Sequence, residues 1–153
     1  MRIKFGNIVE IKTPTGLAYA IYTHRDALCG AVIRVFSKLH TVRPNDFTEM
    51  INGDIQFITI YPLQAAVNRK LVTIIGTVPV PEHLRAFPLF RTAGLPDPKT
   101  HRVYHWGFWD GEKEWNMDEL TPELRKLPIR GTWNHTLLVD RITEGWKHEM
   151  DPG

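Results

Sequence analysis

The chain contains one cysteine, Cys29, so no internal disulfide can form and the fold must rest on packing and hydrogen bonds. No stretch reaches the roughly 18 to 20 consecutive apolar residues of a membrane helix, because Glu, Lys, Arg or Pro interrupts every run. The opening MRIKFGNIVEIK lacks the apolar run that follows the positive charges of a secretory leader. With the lone thiol, these features point to a reducing cytoplasm. Charge of one sign is missing as well. The 19 basic and 17 acidic residues leave a formal +2, too little for a global field that gathers nucleic acid, so any electrostatic role must be local.

Catalytic signatures are also missing. There is no HExxH or CxxC, no GxSxG elbow, no GxxxxGK[ST] loop, and no GxGxxG after a strand. What remains is 153 residues with a hydrophobic fraction of 42% and a charged fraction of 24%, the balance of one globular domain spanning 1–153. No internal repeat or low-complexity tract is evident.

The opening third reads as a meander of three strands, Ile8 to Lys12, Leu17 to Thr23 and Gly30 to Phe36, with Pro14, Thr15 and Gly16 as turn residues. The third, AVIRVF, is apolar on both sides and suits the middle of a sheet, whereas the first two have clearer exposed positions. Between Ser37 and Asp54 the period fails and a loop is expected. IQFITIYP resumes strand character, Pro62 opens a short helix to Lys70, and LVTIIGTV is another strand. The proline-rich Pro79 to Pro98 is too apolar for a free linker and is expected to be extended and packed down. In VYHWGFWDGEKEW, Asp110-Gly111 predicts a two-residue hairpin with a type I′ turn. Thr121-Pro122 opens a short helix to about Lys126, and Asn134 caps a longer one that stops at Gly145. The last residues are expected to fray. The class is a β-rich α+β fold, either a single twisted antiparallel sheet or a small partly open barrel, with two or three short helices.

Seven histidines invite a search for a metal or acid/base site. His101 and His105 would lie about 13 Å apart along a strand, too far to share an ion. Cys29 and His24 flank one turn and would pair only as nucleophile and base; a small half-buried thiol is the plainer reading. Asp110, Glu112 and Glu114 read as solvated hairpin charges rather than paired acids. No metal or cofactor is expected. Two features survive. The rings Tyr104, Trp106, Phe108, Trp109 and Trp115 crowd one short window, and Trp109, beside the turn, is the outward candidate for a binding anchor. Around it, Asp110, Glu112, Glu114, Asp118, Glu119 and Glu123 form an acidic stretch in which Lys113 is the lone base, suited to steering a basic partner surface.

The chain resembles the immunity protein 26 family of bacterial polymorphic toxin systems. The resemblance rests on G-x-I/V-x-x-I at Gly6 to Ile11, YPLQAAVNRKLVTIIGTVPVP at 61–81, FPLFR at 87–91 and W-x-x-W-D-G-E-x-E-W at 106–115, about half the chain. The LTPELRKLPIRGTWN stretch at 120–134 is similar to the family's C-terminal part, with Gly131 and Trp133 as its recognisable points. This implies a cytoplasmic protein that binds a cognate toxin and blocks it by occlusion, without catalysis. On that reading the partner-binding residues are Trp106, Trp109, Asp110, Glu112, Glu114, Asp118 and Glu119. Three other readings compete. One is a small nucleic-acid-binding β-barrel using Lys4, Lys12, Arg25 and Arg34 among Tyr19, Tyr22 and Phe36. Another is an enzyme drawing on His105, Asp110 or His135, and the third is carbohydrate binding by the tryptophans.

Overall fold

Val, Ile, Tyr and Thr suit a pleated surface packed on its neighbours, and their runs in the first half of the chain become antiparallel strands. The computed structural model describes residues 1–151 and is a mostly β, α+β fold. Strands β1 (Asn7–Thr13), β2 (Gly16–Asp26) and β3 (Gly30–Phe36) form the meander, and β4 (Ile55–Tyr61) follows β3. A short helix α1 (Thr48–Ile51) interrupts the expected loop before β4, and α2 (Leu63–Asn68) follows it. Strand β5 (Thr73–Thr77) crosses to the far side of β1, which gives the order β4-β3-β2-β1-β5. The sheet does not close into a barrel. Strands β6 (Phe90–Ala93), β7 (Trp106–Trp109) and β8 (Glu114–Asn116) form a second antiparallel sheet, so there are two sheets where the sequence suggested one.

Both faces of the larger sheet are covered. On one, Val9, Ile11, Ala18, Ala20, Ala31 and Ile33 pack beneath helix α3 (His135–Glu144) through its Leu138 and Ile142. The alanines let the helix axis approach closely. On the other, Ile8, Tyr19, Ile21 and Phe36 meet Met50 and Leu84, while Val32 and Ile60 meet Phe90, Phe87 and Trp109 of the second sheet layer. The expected exposed positions on β1 and β2 survive only near the strand ends, at Lys12 and Arg25, and the polar Glu10 is buried with partners. Glu10 accepts from Arg43 Nε (2.8 Å) and Nη2 (2.9 Å) and from the Tyr19 hydroxyl (2.8 Å). The Arg43 hydrogen bonds hold its carboxyl below the usual range. Arg34 is buried too, and donates to the Ala86 carbonyl at 3.0 Å. In this way each charge ties down a connecting segment, the loop 37–47 by Glu10 and 78–88, with its single 3-10 turn at Glu82–Leu84, by Arg34.

Helix α3 begins where Asn134 accepts from the Leu137 N–H at 2.8 Å and ends at Gly145 with φ 67°. The chain beyond it stays packed as far as Asp151, whose carbonyl accepts from Arg125 at 3.2 Å, and residues 152–153 of the end expected to fray lie outside the described residues. Trp146 and His148 are buried, Arg141 lies between the Trp133 and Trp146 rings (4.4 and 4.0 Å), and His148 Nε2 accepts from the Ile58 N–H. Burial pushes the His148 imidazole down to about 4, so it stays neutral. Apolar packing of Trp146 and Trp133 on Phe57 supplies the anchor that a polar-looking tail did not announce.

The β7–β8 turn also departs from expectation. Trp109 pairs with Glu114, so Asp110 to Lys113 form a four-residue loop in place of a two-residue type I′ turn. Asp110 Oδ1 accepts from the Glu112 and Lys113 N–H groups, both at 2.9 Å, in an Asx turn, so the Asp110–Lys113 pair keeps only the backbone bond from the Asp110 N–H to the Lys113 carbonyl at 3.3 Å. Gly111 sits at φ 98°, and a Cβ there would stand 2.8 Å from the Phe87 ring. Gly111→Ala should therefore lower stability by about 2 kcal/mol, measured by denaturant unfolding, while Glu112→Ala at the same turn should change it by less than about 0.5 kcal/mol. Equal effects would contradict this packing.

Candidate protein-binding surface

The surface is built from a one-residue irregularity. The register between β2 and β3 shifts between Tyr22 and His24, so Tyr22 pairs with Ile33 but His24 pairs with Val32 and Asp26 with Gly30. A slip of one residue exchanges the two faces of a strand. Asp26 is thereby carried to the side of Val32 and Ile60, facing the second sheet, and its side chain is fully buried.

There it accepts five hydrogen bonds. Oδ1 takes the Leu28 and Cys29 N–H groups at 3.0 Å each and Arg130 Nη2 at 3.1 Å. Oδ2 takes Arg130 Nε at 2.9 Å and the Trp109 indole N–H at 3.0 Å. The Arg130 guanidinium also lies 3.9 Å from the Trp109 ring centre. Burial alone would raise the Asp26 pKa, but the Arg130 pair and the two backbone donors outweigh it and bring the carboxyl down to about 2. Arg130 belongs to a stretch that stitches the sheets together. The Arg91 N–H donates to the Pro128 carbonyl (2.8 Å), the Arg130 N–H to the Arg91 carbonyl (2.9 Å), and the Trp133 N–H to the Ile60 carbonyl (2.9 Å).

This clamp settles which rings face out. Trp109 was the outward candidate, but it is half-buried and turned inward by its bond to Asp26. Trp106 is 8% exposed and covers Arg91, whose guanidinium is 4.2 Å from its ring centre. Neither presents a free indole. Because the loop has four residues, Trp115 pairs with Phe108, and their rings stack at 5.4 Å. Trp115 is the exposed indole, at 40%. Around it Glu112, Glu114, Asp118 and Glu119 are exposed, and Lys113 Nζ lies 5.7 Å from the ring. Asp110 is half-buried, with one oxygen committed to the turn, whose N–H donors hold its pKa down.

Other candidate residues are not brought together. His24 contacts the Thr23 hydroxyl and the Arg85 carbonyl rather than Cys29. His135 contacts the Tyr61 hydroxyl, while His101 and His105 are exposed on the long β6–β7 connection. Among the described residues no three His, Cys, Asp or Glu side chains converge as metal ligands. Tyr19, Tyr22, Phe36 and Arg34, invoked for a nucleic-acid face, are all buried. The sequence contained no local sign of the Asp26–Arg130 pair, whose members are more than a hundred residues apart. No family model, curated protein or solved structure matches this chain.

Asp26 makes a pH prediction. Its carboxyl titrates near 2 when folded against 3.8 as a free side chain. Its stabilisation is therefore whole above the free value and is lost as pH falls through about 2, an amount on the order of 2 kcal/mol. Asp26→Asn should melt well below the parent at about pH 7, since it strands Arg130, a loss of about 3 kcal/mol or more. It should also lose less further stability than the parent between about pH 4 and pH 2. Parallel melting curves through that window would contradict the clamp.

Proposed function

We propose that this chain is an immunity protein that binds a toxin in the cytoplasm of the producing bacterium and neutralises it by occlusion, with no chemistry of its own. The observation that carries the reading is one exposed indole, Trp115, stacked on Phe108 of the clamped second sheet and ringed by carboxylates. A rigid aromatic anchor with a charged rim is the usual energetic centre of a protein interface.

The residues behind the family resemblance support a division of labour. Ile8, Ile11, Tyr61, Leu63, Ala66, Phe90, Arg91 and Trp106 are buried, and Trp109 is clamped. They describe a scaffold. The same resemblance includes the exposed Glu112, Glu114 and Trp115, which with Asp118 and Glu119 can meet a partner without disturbing that scaffold. Trp106 and Trp109 thus belong to the support and not to the contact, while the acidic part of the expected surface stands as the contact itself. The carboxylates favour a basic partner face, whose association rate would fall with salt.

The test is a pull-down with the tagged chain from the producing bacterium to capture the toxin, then the toxin's affinity, by calorimetry, for two tryptophan variants. Trp115→Ala should keep the parental melting temperature and weaken binding by about 2 kcal/mol, near thirtyfold. Trp109→Ala should instead lower the melting temperature. Unchanged affinity in folded Trp115→Ala would place the interface elsewhere.

A further inference from the structure

A wide concavity lies away from the acidic hairpin. It is an open groove of about 1060 Å³ at the end of the main sheet, and its polar lining is one-sided: Arg2, Lys4 and Arg25 contribute cations, and no Asp or Glu lines it among the described residues. These three cations are exposed and form no ion pair among the described residues. The ring of Phe5, 56% exposed, stands in the groove with its centre 5.0 Å from that of Tyr22. A second hollow of about 250 Å³ shares Ile3, Arg25 and Gln64 with it and also has no acidic lining. The two make one trough.

Its wall is held in place. Gln64 Oε1 accepts from the Ile3 N–H at 2.9 Å, and its Nε2 donates to the Met1 carbonyl at 2.7 Å. Asn7 Oδ1 accepts from the Lys4 N–H at 2.8 Å, and the Gly6 N–H donates to the Tyr22 carbonyl at 2.8 Å. The register shift that sends Asp26 to the clamp also moves Arg25 onto the face of Tyr22, since Arg25 pairs with Ala31 and Tyr22 with Ile33. An exposed ring, three unpaired cations and no opposing charge are therefore set by the backbone.

We infer that this trough binds single-stranded nucleic acid, with the phosphates on Arg2, Lys4 and Arg25 and a base stacked on Phe5. Cations alone would suit any polyanion. The exposed ring favours a nucleotide strand over an acidic peptide, because every base offers a π-face and a run of carboxylates offers none. The near-neutral net charge is no obstacle, since binding here depends on a local patch. The inference is independent of toxin binding and uses none of the hairpin residues.

The probe is a fluorescein-labelled oligouridylate of about 10 nucleotides, followed by anisotropy with the full chain across a salt series. Binding should weaken with salt at a log–log slope of about −2, as for three neutralised phosphates. Phe5→Ala and Arg25→Glu, both at exposed positions, should each weaken it by about tenfold or more with unchanged melting temperature. Glu119→Lys, just past β8, should not weaken it. The absence of binding at low salt, equal competition by oligoglutamate of the same length, or full binding by folded Phe5→Ala would each overturn the inference. Equal competition would mean a site for any polyanion. Failure of toxin capture would leave these outcomes unaffected.

Discussion

One buried carboxylate decides how the two halves of this molecule meet. Asp26 ends β2, yet its oxygens are shared among the turn at Leu28 and Cys29, the stitching residue Arg130 and the indole of Trp109. A charge in that position is tolerable only because every lone pair faces a donor. The geometry is correspondingly specific. If Asp26 pointed to the other face, Arg130 would be a half-buried cation without its carboxylate, and Trp109 would lose the bond that aims its ring. The position of the second sheet, and the direction in which Trp115 points, follow from this clamp together with the apolar contacts of Phe90 and Phe87 on Val32 and Ile60.

Much of the main sheet was legible in the sequence. The three opening strands, β4, α2, β5 and the Asn134-capped helix follow from β-branched runs, Pro62 and Gly145, all of which are local signals. What was hidden depends on distant partners. A polar residue in a strand reads as exposed, but Glu10 and Arg34 are buried because Arg43 and the Ala86 carbonyl come from segments with no period of their own. The aromatic and acidic character of the candidate surface could be read from residues 104–119. Which ring faces out could not, because it turns on a loop of four residues in place of two, and on a register shift at Thr23 that leaves no mark in hydrophobic patterning.

That register shift links the two surfaces. It directs Asp26 toward the hairpin sheet and Arg25 toward the trough beside Phe5, so the acidic and basic regions are set by one feature of β2. A chain with little net charge thus presents two local fields of opposite sign, each with an exposed ring: Trp115 among carboxylates and Phe5 among cations. Such separation allows two ligands of different chemistry to be held without competing. It also explains why the overall charge balance said little about partners.

The proposal that a rigid hairpin is the protein-binding face is tested most directly by hydrogen exchange on the complex. Amide protection would be mapped on the chain alone and when saturated with its captured toxin. The account predicts added protection concentrated at 110–119, with the β2 and β3 amides already slow in the free protein. Protection that appears at the trough or along β5 instead, with 110–119 exchanging as in the free chain, would contradict it.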